Sequence, residues 1–271
     1  MIAAVNFALA ENIRGINMDF VSIGNAGNAA DTTGFGAVGY NYRIGKYEIT
    51  NAQWDTFTAA AGAPTGNPSY AYDEGAAWSG AQTPTTNVSW YEAAQFCNYL
   101  TSGNKSLGAY QLGTDGSITI NRVAAQTTYG TIYVLPTEDE WYRYKAAFYK
   151  PNGNDYSFYA NGTNTAPVAG VESNYNNAIG SPWNVGSGTM EQNGTYDMMG
   201  NAWELTETFS GSDCIIRGGS YGPGSLIGAD LESYFPPSTE SYLAGFRVAE
   251  IPEPATICLF AIAGLMLRRK K

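Results

Sequence analysis

The sequence predicts an α+β domain with few regular elements and many loops, on three observations. Its 271 residues include 32 Gly, 12 Pro and 20 Tyr with only 14% charged, a composition rich in turn formers. Three segments before Pro151 carry helix caps and helical apolar spacing. From Asn152 onward that spacing gives way to Gly, Asn, Tyr and short apolar pairs. A hydrophobic share of 44% is enough for a sizeable core, and no repeat or linker sets off a second folded unit.

The elements follow in order. Met1 to Ala10 is apolar, closes on Ala8-Leu9-Ala10 and precedes the polar Glu11-Asn12. That matches the distal half of a signal peptide without its basic start, and a buried first strand is the alternative. Thr50 and Gln53 form a capping box before Trp54, Phe57 and Ala61, with Gly62 as the stop. Ser89 and Glu92 form a second, ahead of Ala93, Phe96, Cys97 and Leu100, with Gly103 beyond. Thr137 and Glu140 form a third, followed by Trp141, Tyr144 and Phe148 and ended by Pro151. Each helix is predicted to lay one apolar face on a core. Asp115-Gly116 between Tyr110-Leu112 and Ile118-Ile120 signals a β-hairpin. Ile215-Ile216 and Phe246-Val248 read as short strands between long loops.

Charge and residue counts exclude several functions. A net charge of -10 with only 14 Lys and Arg opposes nucleic-acid binding, which needs clustered cations. With no histidine, Ser-His-Asp and Cys-His nucleophiles and His-ligated zinc are excluded. Cys97, Cys214 and Cys258 show no CxxC spacing, and the sequence leaves open whether Cys97 and Cys214 are bridged or are buried apolar thiols.

At the C-terminus, Ile251-Pro252-Glu253-Pro254 is followed by the apolar run Ala255 to Leu267 and by Arg268-Arg269-Lys270-Lys271. The run is short of the ~20 residues an unaided bilayer-spanning helix requires, and its basic end favours the cytoplasmic side. Motif, apolar run and basic cluster in that order resemble the PEP-CTERM sorting signals of bacteria. The resemblance implies an exosortase-type partner, transient membrane anchoring, and delivery to the cell surface or its polysaccharide matrix.

Six ordered blocks resemble the formylglycine-generating enzyme (sulfatase-modifying factor) family. They are Gly45-Lys46-Tyr47-Glu48-Ile49-Thr50-Asn51, Pro84-Thr85-Thr86-Asn87-Val88-Ser89-Trp90, Leu135-Pro136-Thr137-Glu138-Asp139-Glu140-Trp141, Tyr196-Asp197-Met198-Met199-Gly200-Asn201-Ala202-Trp203-Glu204, Arg217-Gly218-Gly219-Ser220-Tyr221 and Gly245-Phe246-Arg247. The resemblance runs from Met18 to Ala249, between the apolar segment 1–10 and the sorting segment 251–271. It implies a variant of the C-type lectin fold.

Family members that oxidise a substrate cysteine hold Cu(I) between two cysteines just after the Arg-Gly-Gly-Ser block. Soft thiolates suit that ion, yet Pro223 and Gly228 stand at those offsets here, so no copper and no such oxidation are expected. The resemblance also implies a structural calcium site on the loop Asp197 to Glu204, with Asp197 and Glu204 as carboxylates and Gly200 and Ala202 as carbonyl donors. The alternative there is a tight turn with two solvated acids. A second family calcium site would begin at Asn174-Tyr175, without an acidic partner to complete it.

Arg217 and Arg247 read as satisfying buried acceptors rather than as substrate clamps. Ser220, Tyr221, Asp230, Tyr234 and Tyr242 are the candidate ligand-binding residues, because Tyr with Ser and Gly suits adaptable recognition and related lectin-type folds place ligand contacts in that stretch. The expected function is a non-catalytic surface or matrix module that binds glycan or protein. A cysteine-independent modifying enzyme or oxidoreductase with a carboxylate base near Ser220, and a structural coat component, are the alternatives.

Overall fold

The computed structural model describes residues 10–24, 26–27, 36–141 and 157–253. The apolar start, the expected sorting segment from Pro254 onward and the expected third helix beyond Trp141 lie outside the described residues.

The predicted caps form as hydrogen-bonded boxes. In α1 (Asn51–Ala61) the Thr50 hydroxyl accepts from the Gln53 N–H at 3.3 Å and the Gln53 side chain accepts from the Thr50 N–H at 2.9 Å. Ser89 and Glu92 do the same for α2 (Trp90–Ser102), which ends on Gly103 in the left-handed conformation at φ 83°. A third box, Thr137 with Glu140, opens the short α4 (Glu138–Trp141).

Two features depart from the sequence reading. α2 is not amphipathic at the surface, since every residue from Trp90 to Thr101 is buried. Its polar residues find partners inside: Asn98 Nδ2 donates to the Tyr110 carbonyl at 2.8 Å and Gln95 Nε2 to that of Thr65 at 3.0 Å. An unexpected helix, α3 (Arg122–Tyr129), is capped by Asn121 and only eight residues long, and it buries only Ala125.

The strands make two four-stranded sheets and two hairpins. One sheet runs β3 (Phe20–Ile23), β4 (Tyr42–Gly45), β12 (Ala249–Ile251), β7 (Ile132–Val134), all antiparallel. The other runs β10 (Glu232–Phe235), β9 (Asp213–Arg217), β8 (Trp203–Ser210), β11 (Ala244–Gly245), with β11 parallel to β8. The hairpin β5 (Tyr110–Leu112) and β6 (Ile118–Ile120) forms as read. A further hairpin, β1 (Glu11–Ile13) and β2 (Ile16–Met18), runs up to Met18, where the family resemblance begins, and its Ile16 and Met18 are core residues. Phe246 to Val248 is not a strand; these residues are buried between β11 and β12.

Aromatic rings tie α1, α2 and the Gly245-Phe246-Arg247 block together. Phe57 meets Phe96 edge-on at 5.2 Å, Phe96 meets Phe246 at 5.4 Å, and Trp54 stacks on Phe96 at 5.9 Å. Each such pair adds about 0.5–1.5 kcal/mol beyond the burial of its area. This packing fixes one face of the closing block, and Arg247 beside Phe246 carries it into the polar interior. Among the described residues no helix is long and apolar enough to cross a membrane.

Candidate functional site

The loop from Asp197 to Glu204 folds back on itself through three left-handed residues, Asp197 at φ 58°, Gly200 at 81° and Asn201 at 61°. Gly200 is required, because a Cβ there would lie 2.4 Å from the Asn174 carbonyl oxygen. Asp197 and Glu204 are buried, not solvated. The Asp197 carboxylate accepts from Trp183 Nε1 at 2.9 Å and from the Gly186 N–H at 2.7 Å. Glu204 accepts from Arg247 through both oxygens, with Nε at 2.6 Å, and from Trp141 Nε1 at 2.5 Å.

Calcium is the ion that the family resemblance suggests for this loop. The ion needs six to eight oxygens converging at one point. Here both carboxylates accept from protein donors, while the Gly200 N–H donates to Gly218 O at 2.8 Å and the Ala202 N–H to Glu48 Oε1 at 2.9 Å, bonds that leave open what the carbonyls of these two residues do. Among the described residues no group of three or more His, Cys, Asp or Glu is placed to hold a metal. Asp197 and Glu204 thus act as internal struts of this loop.

Protons carry the charge balance in this interior. Glu48, unremarked in the sequence beyond its block, is fully buried and also accepts from Asn201 Nδ2 at 2.6 Å. Burial pushes its carboxyl well above the ordinary 4.5, reinforced by the nearby Asp197 and Glu204 charges. Burial likewise pushes Glu191 up to about 8, against the pull of Arg247. Four acids therefore share one buried guanidinium. Nothing in the spacing foretold that Glu48, Glu191 and Arg247 would join Asp197 and Glu204 here, because these three come from other segments of the chain.

Arg217, as expected, satisfies buried acceptors: it pairs with Glu138 and Glu232 and donates to the Leu231 carbonyl at 3.0 Å. Cys97 on α2 and Cys214 on β9 are free, buried thiols. Burial pushes the Cys97 thiol well above 9 and the Cys214 thiol up to about 12.

The segment after the Arg-Gly-Gly-Ser block is closed by its own hydrogen bonds. The Ser220 N–H donates to Ser225 Oγ at 2.7 Å, and Ser220 Oγ accepts from the Gly222 N–H at 3.3 Å. No carboxylate hydrogen-bonds Ser220 among the described residues, so the base required by an acid-base reading is not in contact there. Gly228 lies at φ 148°, and a Cβ on it would come within 2.8 Å of the Phe158 ring.

Two of the candidate ligand residues prove to be internal. Ser220 and Tyr221 are buried, and the Tyr221 hydroxyl accepts from Trp78 Nε1 at 3.0 Å while donating to the Tyr242 carbonyl at 3.3 Å. Trp78 also meets the Tyr221 ring edge-on at 5.6 Å. Asp230 is exposed, with Tyr234 at 45% and Tyr242 at 54%, and Leu226, which the sequence reading passed over, is 67% exposed.

The sulfatase-modifying factor enzyme 1-like domain matches residues 27–251. The chain belongs to this family. Solved structures with the same fold include Treponema denticola variable protein 1 at 21% identity and TM-score 0.61, covering 91% of this chain and 99% of that one. CarF matches at 22% identity and TM-score 0.62, over 88% and 99% of the two chains. PvdO from Pseudomonas aeruginosa matches at 15% identity and TM-score 0.57, over 90% and 98%. No curated protein matches the sequence significantly. At these identities the structures show the family fold, α+β with few helices, and not a shared activity.

Proposed function

We propose that this member of the sulfatase-modifying factor family is a non-catalytic recognition module, exported and held at the cell surface or in its matrix. The observation that carries the reading is the state of the segment where oxidising relatives keep their cysteines. Pro223 and Gly228 occupy those offsets, Ser220 and Ser225 close the turn, and the Phe158 ring covers Gly228. The same segment turns Leu226, Asp230, Tyr234 and Tyr242 outward, an amphipathic surface suited to glycan or protein ligands. The sorting segment supports export and an exosortase-type partner.

The test is a binding screen of the full chain against glycans and isolated cell-surface material, repeated with the Tyr234→Ala Tyr242→Ala variant. Binding that the double substitution removes supports the reading; a correctly folded chain that binds nothing in the screen opposes it. A parallel assay for oxidation of a cysteine-bearing peptide is expected to show no product. It is also expected to stay negative for Pro223→Cys Gly228→Cys, because the new side chain at 228 collides with Phe158. Removing residues 254–271 is expected to release the protein from cells rather than leave it surface-bound.

A further inference from the structure

A polar cavity of about 470 Å³ lies between the β1–β2 hairpin and the N-terminal half of α1, and none of its lining comes from the Ser220 to Ala244 segment. Its volume is within the range of small-molecule sites, about 300–1,000 Å³, and exceeds that of one sugar ring. Its walls carry Asn17, Asp19, Tyr47, Gln53 and Gln82, over apolar side chains that include Met18 and Val185.

The hydrogen-bonding state of these side chains separates scaffold from free recognition groups. Gln53 is spent on structure, accepting from the Thr50 N–H at 2.9 Å and donating to the Asn17 carbonyl at 2.7 Å. The Asp19 carboxylate, the Gln82 amide and the Tyr47 hydroxyl make no hydrogen bond to the described residues, while the Asp19 carbonyl anchors β4 through the Lys46 N–H at 2.8 Å. One acceptor-only group, one amide that both donates and accepts, and one phenol therefore belong to residues that line the same cavity. The Tyr47 ring is held in place by Tyr196 at 5.3 Å, with the Lys46 ammonium 5.3 Å from its centroid.

Among the described residues that line the cavity two are carboxylic acids, Asp19 and Glu48, and none is Lys or Arg, with the Lys46 ammonium set against the Tyr47 ring, so the lining favours a neutral ligand over a phosphate or carboxylate. Vicinal hydroxyls match the free groups, since each can donate to Asp19 while accepting from Gln82 or Tyr47. We propose that this cavity binds a neutral saccharide of one or two rings. The site stands apart from the outward Tyr234 and Tyr242 surface and does not depend on it.

The test is saturation-transfer NMR on the full chain with glucose, N-acetylglucosamine and cellobiose, with glucose 6-phosphate and putrescine as charged probes. At least one neutral sugar is expected to bind with Kd on the order of 1 mM, and Asp19→Ala and Gln82→Ala are each expected to weaken it about tenfold. Tyr234→Ala Tyr242→Ala is expected to leave that affinity unchanged, and equal melting temperatures would exclude misfolding of the cavity variants. The proposal is overturned if no neutral sugar binds, if either charged probe binds more tightly than all of them, or if sugar binding survives both cavity substitutions. Loss only in the tyrosine variant would overturn the cavity while supporting the Ser220 to Ala244 surface.

Discussion

Residues 50–141 and residues 157–251 solve the same problem, ordering a chain with little charge and much glycine, by opposite means. The first region carries the four α-helices of the described residues, fixed by capping boxes and by the Trp54, Phe57 and Phe96 rings. The second has four strands and no helix before β12, and its loops hang on buried side chains that hydrogen-bond to backbone: Asp197 to Gly186, Glu48 to Ala202, Arg247 to Gly45 and Tyr196. Apolar packing is non-directional and tolerates imperfect fit; a buried ion pair is directional and fails when one partner goes. The second region should therefore be the more brittle.

Arg247→Ala puts that comparison at its sharpest. It strands the Glu204 carboxylate and leaves the Gly45 and Tyr196 carbonyls without their donor, and loss of one partner of a buried pair costs about 3–5 kcal/mol. Denaturant melts are expected to show a loss at the top of that range or outright failure to fold. The double variant Arg247→Met Glu204→Leu removes both charges and is expected to recover a large part of it. A double variant as unstable as the single one would mean the loop carbonyls, not the ion pair, set the cost.

Phe57→Ala is the matching substitution in the first region, where the ring is fully buried against Phe96 and Tyr99. Its expected cost is about 3–5 kcal/mol with the domain still folded, because neighbouring rings can relax into part of the cavity. Should it prevent folding while Arg247→Ala does not, the assignment of brittleness is reversed.

The same contrast explains what could be read from sequence. Thr50 with Gln53 and Ser89 with Glu92 announce helices because a cap and its partner lie three residues apart, within one turn. The Asp115-Gly116 hairpin is local in the same way. The partners of Asp197 are Trp183 and Gly186, those of Glu204 are Trp141 and Arg247, and those of Tyr221 are Trp78 and Tyr242. Such pairings span 11 to 143 positions and have no period. Family blocks placed the residues correctly along the chain, yet the blocks do not reveal that Asp197 and Glu204 are consumed by donors or that Tyr221 points inward.

A smaller effect tests burial inside the first region itself. Burial pushes Glu92 up to about 8 from an ordinary 4.5, with the Ser89 N–H opposing and the neighbouring Glu240 reinforcing the shift. Because the folded state holds that proton more tightly than the unfolded chain, stability is greatest below pH 4.5 for this group and falls as pH rises toward 8. The size is on the order of 1.4 kcal/mol per pKa unit, reduced by whatever solvent reaches the site. Urea melts at pH 5 and pH 8 should show the decline, and Glu92→Gln should flatten it while keeping the capping box through its amide oxygen. An unchanged slope in that variant would assign the pH dependence to the buried acids around Arg247, foremost Glu191.

The smallest expected effect comes from calcium, and it bears on the second region alone. An ion bound only by the native state adds about 2.7 kcal/mol at a hundredfold excess over its Kd, which is degrees of Tm for a domain of this size. With Asp197 satisfied by Trp183 and Gly186, and Glu204 by Arg247 and Trp141, millimolar calcium should leave Tm unchanged, and chelation should do the same. A rise in Tm that Asp197→Asn abolishes would require the carboxylate to leave its two protein donors for the ion. In that event the proton held by Glu48 or Glu191 would be released on binding, since a cation offsets the charge the proton now offsets, and the calcium response should then grow weaker as pH falls.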